Sequence, residues 1–65
     1  MKLFRLTHGE MTVFVNPEFI IWIRPDRWGD NVRSSIYVQG EESTLHDSRD
    51  PDTLLGHMRL DGIIA

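Results

Sequence analysis

Three histidines are the side chains with the most obvious potential for chemistry. His8, His46 and His57 could each offer an imidazole nitrogen to a metal ion. No two of them have the H-x-H or i, i+4 spacing that brings two imidazoles to one zinc ion, and the chain has no cysteine. We therefore predict scattered surface histidines and no metal site.

The segment His46-Asp47-Ser48 places a base, a carboxylate and a hydroxyl side by side. A catalytic triad requires these groups to converge in space, but sequential residues of a strand point to opposite faces. No glycine-rich elbow surrounds Ser48. We predict that Asp47 and Ser48 hydrogen-bond to the backbone ahead of a helix. We predict no catalytic residue, no enzymatic activity and no cofactor, since the glycines stand singly and form no phosphate-binding loop.

Size and charge limit the functions that need to be considered. The chain has 65 residues and no cysteine, with 7 basic against 10 acidic residues and a formal charge of −3. A domain this small has a marginal core, and oligomerisation is a usual remedy where disulfides are absent. The acidic balance disfavours nucleic acid as the default partner. No signal peptide and no membrane span is evident, so a cytoplasmic protein is expected.

Alternation of apolar and polar residues predicts a single α+β domain. The five predicted strands lie at residues 2–7, 11–15, 20–24, 32–39 and 43–47. Asn16-Pro17 predicts a tight helical turn, and Pro25 is expected to end the third strand before a polar turn at 26–31. Short connections favour pairing between sequential strands, so we expect one curled, mostly antiparallel five-stranded meander.

The clearest helix signals lie near the C-terminus. Asp50 is a good N-cap, Pro51 suits the first helical position, and Asp52 places a negative charge near the positive helix end. These signals predict a helix at about 51–61. Gly56 interrupts the helix interior, and close packing of the helix on the sheet is the expected reason.

The third strand offers apolar side chains to both faces, through Ile20, Ile21, Trp22 and Ile23. A helix of about ten residues can cover one face of a small sheet only. The second face is then expected to present an aromatic set, Phe4, Phe14, Trp22 and Tyr37. Such a set exceeds what a monomer usually exposes, which predicts a subunit or partner interface. Closure of the sheet into a small barrel is the alternative.

Two charged regions are further candidates for partner binding. Arg24, Arg27 and Trp28, together with Arg33, lie around the turn between the third and fourth strands. Arginine and tryptophan are enriched in protein interfaces, and they also stack on nucleobases. The acidic region at 41–52 contains Glu41, Glu42, Asp47, Asp50 and Asp52. It suits a turn and a capped helix, or a negative patch for a basic partner.

Several motifs resemble the FlbD-like small proteins of bacterial flagellar and swarming-motility operons. The first match is Leu6, Thr7 and Gly9, followed by the V-N-P-x-x-I motif at 15–20. Gly40, Leu45 and the Asp47-Ser48 pair match the later part loosely. Trp22, the DRWGDN turn and the acidic 41–52 region depart from the pattern. The resemblance covers most of the chain and implies no enzymatic activity and no cofactor.

Three functional hypotheses follow. The first is a non-enzymatic protein-interaction or assembly module, as a homo-oligomer or on another protein, that acts through an apolar sheet face. The second is a small acidic inhibitor of the phage type, which would dock on a basic, nucleic-acid-binding surface of a host protein. The third is single-stranded RNA or DNA binding through Trp28, Tyr37 and the arginines.

Overall fold

The structure is a computed structural model that describes residues 2–64. Its strands are β1 (Phe4–His8), β2 (Met11–Val15), β3 (Ile20–Trp28), β4 (Asn31–Val38) and β5 (Leu45–Asp47). A 3₁₀ turn spans Pro17–Phe19, and one helix, α1, spans Pro51–Leu60. The α+β class is as predicted.

The strands form two antiparallel sheets, so the prediction of one five-stranded sheet is wrong. β1 and β2 make a hairpin, while β3, β4 and β5 make a three-stranded sheet in that order. β1 lies beside β5, but side chains join them in place of a backbone ladder. The backbone N–H of Thr7 donates to Oδ2 of Asp47 over 2.8 Å, and the N–H of His46 donates to Nδ1 of His8 over 2.9 Å. These side chains occupy the positions where ladder partners would stand.

β3 continues through Pro25 to Trp28, although the sequence predicted that Pro25 ends the strand. Proline is tolerated because β3 is an edge strand, where a missing N–H can face away from the neighbouring strand. The polar turn expected at 26–31 therefore shrinks to Gly29 and Asp30. Gly29 has φ +62° while Asp30 does not have positive φ, which is the pattern of a type II′ hairpin turn.

The core lies between the hairpin, the inner face of the three-stranded sheet and α1. Its buried apolar residues are Phe4, Leu6, Val15, Ile36, Val38, Leu45, Leu54 and Met58. The prediction that Phe4 belongs to an uncovered face is wrong, since Phe4 is only 2% exposed. The hairpin lies beside β5 with the face that carries Phe4 turned towards the core, so Phe4 is covered.

The N-terminal signals of α1 are confirmed. Asp50 is the N-cap and accepts a hydrogen bond from the N–H of Thr53 over 2.7 Å, and Pro51 is the first helical residue. This bond holds the pKa of Asp50 below its usual value. At the other end the N–H of Ile63 donates to the carbonyl of Met58, with Gly62 at φ +76°. The helix therefore ends through a glycine turn.

The packing role predicted for Gly56 is wrong. No atom outside its own helical surroundings lies within 4 Å of the position where a β-carbon would stand. Within residues 2–64, no helix has the length and apolar character that a membrane crossing demands.

Candidate functional site

The face of the three-stranded sheet that points away from α1 carries four of the predicted partner-binding residues, Trp22, Arg24, Trp28 and Tyr37. Ser34, Ile36 and Val38 of β4 are buried, so the alternate residues of β4 point to the opposite side. The strand register extends this side across the sheet. We call it the outer face, and its residues are Trp22, Arg24, Asp26, Trp28, Asn31, Arg33, Ser35, Tyr37 and His46.

A three-member stack lies at one end of the outer face. Trp22 and Tyr37 are cross-strand partners, and their ring centroids lie 5.6 Å apart with an interplanar angle of 25°. The guanidinium carbon of Arg24 lies 4.1 Å from the centroid of the Trp22 ring. The two rings are half-buried, while Arg24 is exposed. Ring contact of this kind holds the long arginine side chain without using its N–H donors.

A second arginine-on-tryptophan contact lies at the other end. The guanidinium carbon of Arg33 lies 4.1 Å from the centroid of the Trp28 ring, and Trp28 remains 64% exposed. Arg33 also donates from Nε to Oδ2 of Asp26 over 3.0 Å. Arg24 differs, since no carboxylate among residues 2–64 pairs with it. The sequence placed Arg24, Arg33 and Trp28 at one turn, but the structure separates them into two units on one face.

Imidazoles border the outer face at β5. Nε2 of His46 lies 3.7 Å from Oδ2 of Asp26, and the rings of His8 and His46 stack with centroids 5.7 Å apart. Burial lowers the pKa of His46, as do the charge of Arg33 and, to a smaller extent, that of His8, whereas Asp26 raises it. His46 therefore favours its neutral form. The prediction of scattered histidines is wrong for this pair, because 38 residues separate the two and no spacing rule indicates their contact.

Asp47 joins the two sheets from the inner side. It is 1% exposed and accepts hydrogen bonds from the N–H of Thr7 and from Arg49. Burial raises the pKa of Asp47, but the hydrogen bonds from Arg49 and Thr7 outweigh burial and lower it overall. The prediction that Asp47 binds backbone is confirmed, since it also accepts from the N–H of Arg49 over 3.0 Å. Asp47 is a structural carboxylate.

The remaining predicted residues do not join the outer face. Phe14 is 61% exposed, but it lies on the hairpin opposite Arg5. Arg27 is exposed opposite Val32, on the other side of β3 from Arg24. Glu41 and Glu42 are exposed in the segment after β4, and Asp52 is exposed in the first turn of α1. The predicted acidic cluster is divided, because Asp47 is buried and Asp50 caps the helix.

An open groove of about 490 Å³ runs beside the outer face and includes Trp28, Arg33, His46 and Ser48 in its lining. Within residues 2–64, no three histidine, aspartate or glutamate side chains are grouped so as to hold a metal ion. Comparison of the chain with protein-family models, with curated proteins and with solved structures found no match.

Proposed function

We propose that the chain is a non-enzymatic protein-interaction module and that the outer face is its binding surface. The observation that carries the proposal is the pair of guanidiniums stacked on Trp22 and Trp28, on the sheet face that α1 leaves uncovered. Tryptophan, tyrosine and arginine are enriched among the few residues that dominate the binding energy of protein interfaces. The outer face has all three residue types.

The stacking also prepares these side chains for binding. A long side chain that becomes immobilised at an interface costs about 0.5–1.5 kcal/mol of conformational entropy. Arg24 already rests on Trp22, and Trp22 already rests on Tyr37. Part of this entropy is therefore lost on folding, which leaves less to lose when a partner binds.

Because of Pro25, the outer face is a better contact surface for a partner than the free edge of β3. β3 is an edge strand, and its free edge would otherwise present a row of donors and acceptors for strand addition. Pro25 contributes no donor in the middle of that row. A partner therefore gains more from the side chains of the outer face than from the backbone of β3.

The FlbD-like resemblance agrees with a non-enzymatic role and stays a prediction, as does the homo-oligomer. Sedimentation of the purified chain tests self-association. A single monomeric species would contradict the homo-oligomer and leave a different protein as the partner.

Affinity capture tests the proposal when matched variants are compared. The tagged chain would be incubated with a lysate of the organism that encodes it, beside a face variant, Arg24→Glu with Tyr37→Ala, and a control, Leu60→Ser. Leu60 is 85% exposed on α1, away from the outer face. We expect the same proteins to be enriched by the wild type and by the control and to be lost from the face variant. A further variant, Phe14→Ala, tests whether the exposed aromatic ring of the hairpin contributes to capture.

Equal capture by the face variant would contradict the outer face as the binding surface. Circular dichroism of each variant would show that the fold is intact, so that lost capture reports a lost contact. Loss from Phe14→Ala with retention by the face variant would move the binding surface to the hairpin.

A further inference from the structure

We infer that the outer face binds an extended segment of another protein that carries acidic residues at both ends and none in its centre. This inference rests on the proposed function and adds the chemistry of the partner. It follows from where the positive and negative groups lie along the outer face.

The two arginines keep donors free for a carboxylate. Arg24 has no carboxylate partner among the described residues, and Arg33 uses Nε for Asp26 and leaves both Nη nitrogens without a bond to Asp26. Guanidinium N–H groups that lie in one plane match the two oxygens of a carboxylate. Because each guanidinium already lies over a tryptophan ring, its position is set before a partner arrives.

The guanidiniums of Arg24 and Arg33 lie towards opposite ends of the outer face. On β3 the order is Trp22, Arg24, Asp26 and Trp28, and Arg33 lies opposite Asp26. The side chain of Arg24 extends towards Trp22 at one end, while the side chain of Arg33 extends towards Trp28 at the other. The six-residue separation of the two tryptophans corresponds to about 20 Å along a strand. A segment that reaches both guanidiniums must therefore be extended and several residues long.

The carboxylate of Asp26 determines which kind of partner residue can lie over the middle of the outer face. Its carboxylate lies in the middle of the outer face, within 3.0 Å of Nε of Arg33. A second carboxylate placed there would meet a like charge, which is unfavourable for directly opposed groups. The centre of the bound segment is therefore uncharged.

The carboxylate of Asp26 also favours a protein segment over single-stranded nucleic acid as the partner. A nucleic acid carries a phosphate at every nucleotide, so one phosphate would lie beside Asp26. Two arginines against one aspartate leave one positive charge on the outer face, whereas the whole chain carries −3. Nucleic-acid affinity depends on the number of phosphates neutralised, and this face neutralises few.

A second copy that uses the same face is disfavoured by symmetry. A two-fold interface places the same patch of both copies in contact. The second copy would offer Arg24 no free carboxylate, because Asp26 is the one acidic residue of the outer face and already binds Arg33. The occupant is therefore a different chain.

Titration of the isotope-labelled protein with three capped eight-residue peptides tests the inference. The end-acidic peptide is Glu-Glu-Thr-Tyr-Ser-Thr-Glu-Glu, the centre-acidic peptide is Thr-Tyr-Glu-Glu-Glu-Glu-Ser-Thr, and the neutral peptide replaces each glutamate of the first by glutamine. The readout is the NMR shift of the indole N–H groups of Trp22 and Trp28 and of the Nε–H groups of Arg24 and Arg33. We expect the end-acidic peptide to bind about tenfold more tightly than the centre-acidic one, as when one charge-assisted contact is lost.

Arg24→Lys provides the matched variant, because it keeps the charge but loses the planar donors and the ring stack. We expect it to remove most of the preference for the end-acidic peptide while the Trp28 signals still respond. Equal affinities for the two acidic peptides, or tighter binding of an eight-residue oligothymidylate, would overturn the inference. Self-association that Arg24→Glu abolishes would also overturn it. If no peptide binds but the face variant still loses its captured partner, the inference fails and the proposed function stands.

Discussion

The backbone N–H of His46 donates a hydrogen bond to Nδ1 of His8 over 2.9 Å, and the two imidazole rings stack 5.7 Å apart. The bond joins the hairpin to the three-stranded sheet where no backbone ladder does. An imidazole nitrogen accepts a hydrogen bond only when it carries no proton. Nδ1 of His8 is therefore the acceptor that links the two sheets here.

The first prediction is that the free energy of unfolding falls as the pH is lowered from about 7.5 to about 5. The pKa of His46 in the folded chain lies below its ordinary value of 6.5. The unfolded chain therefore binds more protons than the folded chain in this window. The contribution of His46 to stability is fully present above its ordinary pKa and is lost as the pH falls from there through the lower pKa of the folded chain.

Urea unfolding followed by tryptophan fluorescence at both pH values measures this loss. The matched control is the double variant His8→Gln and His46→Gln, since a glutamine carbonyl can still accept the bond from residue 46. We expect the control to lose much less stability over the same window. Equal losses in the wild type and the control would show that other groups cause the pH dependence.

The second prediction concerns the buried carboxylate of Asp47. Asp47→Asn keeps the shape but removes the charge that Arg49 and the N–H of Thr7 bind. Hydrogen bonds to charged groups contribute about 1.5–3 kcal/mol each, so we expect the unfolding free energy to fall by about 2–3 kcal/mol. Asp30→Asn, at an exposed turn, is the control and should change it by less than about 0.5 kcal/mol. Similar effects of the two changes in urea unfolding would contradict the role of Asp47.

The third prediction is that Gly56→Ala stabilises the chain. Gly56 has open space around its β-position, and alanine is favoured over glycine in a helix by about 1 kcal/mol. The melting temperature should rise by about 4–8 °C. Gly40→Ala is the control, because Gly40 has equally open space but a φ of +91° that alanine rarely adopts, so its melting temperature should fall. A lower melting temperature for Gly56→Ala would show that the glycine has a further role.

The fourth prediction is that Pro25→Thr promotes self-association. Threonine restores the missing N–H to the free edge of β3 and favours extended backbone, which makes the edge a template for another strand. Light scattering over several days would detect the growth of assemblies formed through this edge. Pro51→Ala, at the start of α1, is the control and should leave scattering unchanged. If Pro25→Thr stays as dispersed as the wild type, Pro25 does not protect the edge.

Features set by neighbouring residues were predictable from the sequence, and features set by distant ones were not. Asp50 and Pro51 act within one helical turn, so the start of α1 follows from local chemistry. The inward alternation of Ser34, Ile36 and Val38 is likewise local. The contact between Thr7 and Asp47 joins residues 40 positions apart, and no spacing rule in the sequence indicates it.

Some residues of the outer face were identified as candidates from the sequence, but their arrangement in space was not. The sequence identified Trp22 and Tyr37 as part of an aromatic face that one helix leaves uncovered, and Arg24 because arginine is enriched in interfaces. It also included Phe4, because alternation alone cannot show which face of the hairpin is turned towards the core. The guanidinium stacks on Trp22 and Trp28 depend on side-chain conformations, which residue types do not specify.

The most direct test of the central claim is site-specific photo-crosslinking in cells of the organism that encodes the chain. A photoreactive phenylalanine analogue at position 37 would probe the outer face, and the same group at position 60 would probe the exposed end of α1. We predict a discrete protein adduct from position 37 that Arg24→Glu abolishes, and no such adduct from position 60. Adducts from position 60 alone would contradict the outer face as the binding surface.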